Sequence, residues 1–280
     1  MERAGAAGMS DDAIAVLAGT LAEQLILVPG VVGVVLGGSR ARGTHLPTSD
    51  VDIGLYYGAD LDIGALRRLA ATLDPTTEIT APGGWGPWVD GGGWLRVGGV
   101  AVDWIYRRQQ RVEQQAGRAA RGEFAFHQQV GHPLGFLDVS YAGELACARL
   151  LADPSGRLAT TRRLVEPYPA ALRTSLGALG WEASFCLDIA AKGAARRDAV
   201  YVAMCLSRTL LLCAHVIHAR AGRWAINEKG LVAEAAALPG APDAFEQRAA
   251  DVLSSLAAEP TSLDQAVAAC RSLVDDVRGG

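Results

Sequence analysis

Residues 31–57, VVGVVLGGSRARGTHLPTSDVDIGLYY, leave the chain few ways to fold. They open on an apolar, β-branched run, Val31 to Leu36, with the length and composition of a buried strand. Gly37-Gly38-Ser39 breaks that run. Such a break can turn a strand into a helix with backbone N–H groups facing outward, where an anion binds. After Pro47 and Ser49, Asp50-Val51-Asp52-Ile53 alternates polar with apolar and leads into Gly54-Leu55-Tyr56-Tyr57. Side chains on a strand repeat every second residue, so Asp50 and Asp52 point to the same side. Two carboxylates side by side repel unless a cation stands between them. Mg²⁺ suits such a pair, because it takes one or two carboxylates and leaves its other positions to water and substrate phosphates.

Gly38-Ser39, the spacer RARGTHLPTS and Asp50-Val51-Asp52 resemble the signature of the nucleotidyltransferase superfamily, the polymerase-β-like fold. The competing reading, a strand–turn–strand with a solvated acidic end, has to explain two aspartates in register where strands are depleted in Asp. The resemblance implies an α+β fold: an N-terminal catalytic domain with a short mixed sheet and flanking helices, then a C-terminal helical bundle. It also implies a nucleoside triphosphate, ATP first, and two Mg²⁺ ions on Asp50, Asp52 and a third acid on a neighbouring strand. Gly38, Ser39 and Ser49 would lie on the phosphate side.

Composition sets the remaining bounds. A chain of 280 residues, half of them hydrophobic, can bury a core in one large or two modest domains. A formal charge of −4 argues against a protein that coats nucleic acid, though not against a local basic site. Cysteines 147, 186, 205, 213 and 270 form no CxxC pair and are odd in number, as expected of reduced thiols in a cytoplasmic protein. Glu2, Asp11 and Asp12 do not suit a secretory leader. The run Ala199 to Ala219 is long enough to span a membrane. Arg208 near its middle would cost about 2.5–3.5 kcal/mol there, so a buried bundle helix and no membrane are expected.

Ser10 caps an expected first helix reaching about Leu27, and Leu61 to Leu73 forms a second, stopped by Asp74-Pro75. The glycine-rich segment 82–93 with Trp85 and Trp88 reads either as a ligand-facing loop or as a turn pinned to the core. Trp94 to Tyr106 reads as a hairpin turning at Gly98-Gly99. Its second arm carries Asp103, an acid that would be costly to bury unpaired in an apolar strand. The resemblance makes Asp103 the third metal acid, completing a two-metal site. Residues 107–121 read as a polar helix with five arginines, either a solvated face or a basic wall near a triphosphate. His127 and His132 make a weak zinc case.

Asp153-Pro154-Ser155-Gly156 is a strong turn, and the domain boundary is expected there: 1–156 catalytic, 157–280 a helical bundle that closes over the site and brings the acceptor. Helices are expected at roughly 157–165, 168–192, 198–220, 228–237 and 243–280, the last broken near Pro260. The segment Arg223 to Gly230 is similar to a stretch of the antibiotic nucleotidyltransferases, which makes Lys229 a candidate triphosphate ligand. Transfer to a hydroxyl needs a general base; Glu182, with apolar neighbours, and Glu144 are the candidates. Arg208 and His215, seven apart on one helix, are similar to the catalytic pair of HEPN-type ribonucleases. The expected activity is Mg²⁺-dependent transfer of AMP or another nucleoside monophosphate to a hydroxyl of a small, possibly aminoglycoside-like acceptor, with loss of pyrophosphate. The alternatives are a toxin-type enzyme that modifies a protein or tRNA, and a nucleotide-binding regulator without turnover.

Overall fold

The structure, a computed structural model, describes residues 9–257 and 259–279. The leader argument from Glu2 falls on residues 1–8 and lies outside them. The fold is α+β, and the chain divides into two compact units, one of residues up to 118 with 125–167, the other of 119–124 with 168 onward.

The first unit contains α1 (Asp11–Leu25), β1 (Val31–Leu36), α2 (Gly38–Arg42), β2 (Val51–Tyr57), α3 (Ile63–Leu73), β3 (Gly92–Val97) and β4 (Val100–Arg108). Most of α4 (Gln109–Ala120) follows, then β5 (Phe126–Gln129), β6 (His132–Leu137), α5 (Ser140–Cys147), β7 (Arg149–Ala152) and α6 (Arg157–Arg162). Local signals explain the ends. Ser10 Oγ accepts the Ala13 N–H at 3.3 Å to start α1, and Asp62 Oδ1 accepts the Ala65 N–H at 2.8 Å to start α3. The hairpin turns between Val97 and Val100, as its two glycines predict.

The strands form a mixed sheet in the order β3-β4-β2-β1-β7, in which β2 and β4 run parallel and the other pairs antiparallel. Odd residues of β2 and even residues of β4 (Ile53, Leu55, Val102, Trp104) face a core closed by Leu21 and Leu25 of α1 and Leu66 of α3. The opposite face carries Val35 and Tyr56 into a second cluster with Val112, Tyr141, Leu145 and Leu158. Asp52 and Asp103 alternate onto this second face, beyond the end of its apolar cluster. Arg107 and Arg108, expected to begin a helix, instead end β4. Their backbones pair with Tyr56 and Tyr57, and the parallel ladder carries the strand on to Arg108.

The second unit is helical: α7 (Ala170–Gly177), α8 (Gly180–Ala195), α9 (Ala199–Arg220), α10 (Leu231–Ala236), α11 (Phe245–Ser254) and α12 (Pro260–Gly279). The expected helix over 168–192 is two helices, broken around Ala178 and Leu179. Helix α9 passes the length and hydropathy test for a membrane span, but Val202, Leu206, Leu210, Leu212 and Val216 are buried against the surrounding helices. Its apolar character is explained by that packing.

Candidate active site

The site begins where β1 ends. Gly37 donates its N–H to the Asp52 carbonyl at 2.8 Å, so this amide, expected to face a phosphate, closes the ladder between β1 and β2. Gly38, Ser39 and Arg40 then open α2, and first-turn N–H groups have no acceptor within their own helix. Gly38 has φ +61°, and a Cβ built on it would stand 1.7 Å from Asp52 Oδ2. The Asp52 carboxylate therefore lies directly against the bare backbone of the turn.

Arg40, which sequence reasoning did not single out, holds the next part. Its side chain is 5 % exposed and reaches Asp11 at 3.7 Å. Nε donates to the Ser49 and Asp50 carbonyls, both at 3.1 Å, and Nη2 donates to the Ser49 carbonyl at 2.7 Å. Ser49 Oγ accepts the Leu46 N–H at 3.0 Å and so closes the turn that delivers Asp50. Asp50 stands exposed just before β2 begins.

Asp52 and Asp103 are direct partners in the parallel register, and Trp94 is Asp103's partner on its other side. Neighbouring strands lie about 4.8 Å apart, so the two carboxylates leave the same face within reach of one ion. Asp50 and Asp103 line a common open cleft of about 720 Å³ with Asp74, Thr76, Trp94 and Arg96. Among the described residues, no three His, Cys, Asp or Glu side chains stand close enough, as placed, to hold a metal ion by themselves. Mg²⁺ does not need such a cage, because substrate phosphates and water complete its shell. The donor chemistry and the Gly38 cradle fit it.

The remaining candidates are placed as follows. Glu144 forms a bidentate pair with buried Arg107, at 2.5 Å and 2.7 Å, and Arg107 also lies 5.0 Å from the Tyr141 ring centroid. Glu144 thus supplies the counter-charge of a buried arginine. Burial is the main cause that holds the Tyr56 hydroxyl in this cluster well above its usual range. Glu182 does not lie in an apolar pocket: it pairs with Arg208, whose Nε is 3.0 Å from Oε1, and the neighbouring Trp181 is exposed. Arg208 thus pairs with Glu182, and His215 is buried and pushed down to about 3, first by burial and then by His218. Lys229 is exposed in the second unit, its backbone N–H donating to Asn227 Oδ1 at 2.9 Å.

The segment 82–93 is pinned. Gln129 Oε1 accepts the Trp88 N–H at 2.9 Å, and its Nε2 donates to the Trp85 carbonyl at 2.7 Å. Tyr57 donates to Asp90 at 2.9 Å, and Tyr141 donates to the Trp88 carbonyl. His127 stacks on Trp88 at 4.0 Å and lies 3.3 Å from buried Asp138, while His132 meets Phe136 edge-on. The two histidines serve this aromatic cluster.

Residues 20–78 match the family model of a nucleotidyltransferase domain, a stretch that spans the Gly37–Ser39 turn, Asp50 and Asp52 and stops short of Asp103. No curated protein matches the chain. Among solved structures, it is similar to a nucleotidyltransferase-like protein from Exiguobacterium sibiricum 255-15, at a TM-score of 0.43 and 11 % identity over 96 % of this chain and 77 % of that one. The turn and acid pair thus lie inside the stretch that is similar to a nucleotidyltransferase domain.

Proposed function

We propose that the chain moves a nucleoside monophosphate, AMP from ATP in the first instance, onto a hydroxyl of a small molecule and releases pyrophosphate. The observation that carries this reading is the register partnership of Asp52 and Asp103 beside the Gly38 turn. Paired carboxylates next to outward-facing amides suit a triphosphate accompanied by a hard cation. Asp50, Asp52 and Asp103 would hold two Mg²⁺ ions, whose chemistry is to neutralise the triphosphate and make the acceptor hydroxyl a better nucleophile. The amides of Gly38, Ser39 and Arg40 and the Ser39 hydroxyl receive the β- and γ-phosphates. Lys229 is added as a phosphate ligand on the strength of its sequence context. The acceptor oxygen attacks the α-phosphorus as its bond to the β-phosphate oxygen breaks. The hydroxyl proton passes to Asp103, because Glu144 and Glu182 are each committed to an arginine. The contribution of the chain is positioning and charge compensation.

The test is thermal melting of the wild type and Asp52→Asn against each nucleoside triphosphate, with Mg²⁺ and with EDTA. A ligand at a hundred times its Kd stabilises by about 2.7 kcal/mol, a shift of several degrees at roughly 2–4 °C per kcal/mol. A Mg²⁺-dependent shift with ATP that disappears in Asp52→Asn is expected. An equal shift in the variant refutes the assignment of the acids, and no shift with any triphosphate refutes the function.

A further inference from the structure

Helices α8 and α9 of the second unit lie side by side and antiparallel. Glu182 near the start of α8 pairs with Arg208 well along α9, Cys186 comes near Cys205, and Gly193 near the end of α8 lies against Tyr201 and Val202. Leu187 and Ala190 of α8 and Val202 and Leu206 of α9 turn one side of this hairpin into the core. About half a turn round from them, α8 carries Trp181 and Phe185, and α9 carries Val200 and Met204. Tyr201 joins these four from the seam between the helices. All five are between 42 % and 73 % exposed. A single exposed apolar residue is ordinary, but five on one two-helix face are not.

The size of the patch indicates what covers it. Aromatic side chains bury about 150–250 Å² each, so at these exposures the five leave on the order of 500 Å² of apolar surface open. That is near the upper end of what a monomer presents. When a second copy brings the same face, both sides lose this area, on the order of 1,000 Å² before any polar rim is counted. Specific interfaces begin at about that size.

Charge points the same way. The chain carries a formal charge of −4, which opposes self-association in general. On this face the acids are already compensated. Glu182 is held by Arg208, with Nε 3.0 Å from Oε1, and Asp188 at the edge is held by Arg271 at 2.9 Å. A hairpin with an apolar outer side and a seam paired within itself packs on its own copy as a four-helix layer. Lys192, Arg196 and Arg197 stand exposed, which makes an anionic membrane the rival occupant. They gather at one end of α8 and do not flank the patch along its length, as basic residues do on a helix that lies in a membrane surface.

We infer that the outer face of α8 and α9, centred on Trp181, Phe185 and Met204, is the interface through which two copies of this chain form a two-fold symmetric dimer. The dimer does not depend on the transfer reaction, because no group of the phosphate site takes part in it. Cys186 and Cys205 lie half-buried in the seam beneath, and burial holds both thiols above their usual range. The second copy covers them further. The test is sedimentation velocity of the full chain over a dilution series, for wild type, Trp181→Glu, Met204→Glu and, as a control at an exposed turn of the first unit, Val130→Glu. Wild type and Val130→Glu should show a dimer that dissociates on dilution. In Trp181→Glu its Kd should rise at least about thirtyfold, because a central tryptophan is lost from both sides of the contact. Maleimide labelling of Cys186 and Cys205, located by mass spectrometry at one protein concentration, should be faster in Trp181→Glu than in wild type. A wild type that is monomeric throughout the series overturns the dimer, as does a dimer kept equally in Trp181→Glu and Met204→Glu. Binding of monomeric wild type to phosphatidylserine vesicles, lost in Trp181→Glu, overturns it in favour of a membrane.

Discussion

Two glycines bracket α2, and they separate backbone strain from site chemistry. Gly38 (φ +61°) and Gly43 (φ +70°) are both left-handed, but a Cβ on Gly43 would meet nothing within 4 Å, whereas one on Gly38 would meet Asp52 Oδ2 at 1.7 Å and Cγ at 2.6 Å. Alanine costs about 1–2 kcal/mol in that backbone region, so each variant should lose that much stability, or roughly 2–8 °C in Tm. The extra contact in Gly38→Ala falls on the end of a short side chain. Asp52 can swing away at a further cost of only about 0.5–1.5 kcal/mol, so stability should drop a little more. Function should drop far more, because the carboxylate leaves the turn it lies on. Titration of ATP with Mg²⁺, followed by the melting shift, should show Gly43→Ala binding within about twofold of wild type and Gly38→Ala weakened at least about tenfold, or 1.4 kcal/mol. Equal affinity in Gly38→Ala, or equal loss in both variants, would refute the claim that the bare Gly38 backbone positions Asp52.

Two further outcomes follow from buried groups. Glu144→Ala strands the Arg107 guanidinium, whose side chain is 7 % exposed, and should cost about 3–5 kcal/mol in urea unfolding; Arg107→Met combined with Glu144→Leu should cost less than the single change. A double variant no more stable than Glu144→Ala would show that the pair is not what the second core cluster depends on. His215 has a folded pKa of about 3, pushed below its unfolded value, so the native state binds fewer protons. Its stabilisation is complete above about pH 6.5 and declines as pH falls toward 3, by about 1.4 kcal/mol per unit. Unfolding free energies between pH 6.5 and 5 should therefore slope more steeply in wild type than in His215→Leu, and parallel lines would contradict the burial account.

Local chemistry was legible in the residues. The turn at Gly37–Ser39, the strand that carries Asp52, the hairpin at Gly98-Gly99 and the helical run of α9 each follow from short-range periodicity and backbone freedom, and the structure forms them all. Asp103 stands out through strand period and family resemblance together, because an acid in an apolar strand needs a partner that its own neighbours do not supply. Partnerships across the fold were not legible. Arg107 read as part of a polar helix because its flanking residues are polar, yet the ladder with Tyr56 carries it into the strand and turns it toward Glu144. Nothing near Arg40 in sequence announces that it holds Ser49 and Asp50. Spacing along the chain fixes which groups share a face. Which groups meet depends on strand order and register, and those are set by how the whole sheet buries its apolar sides.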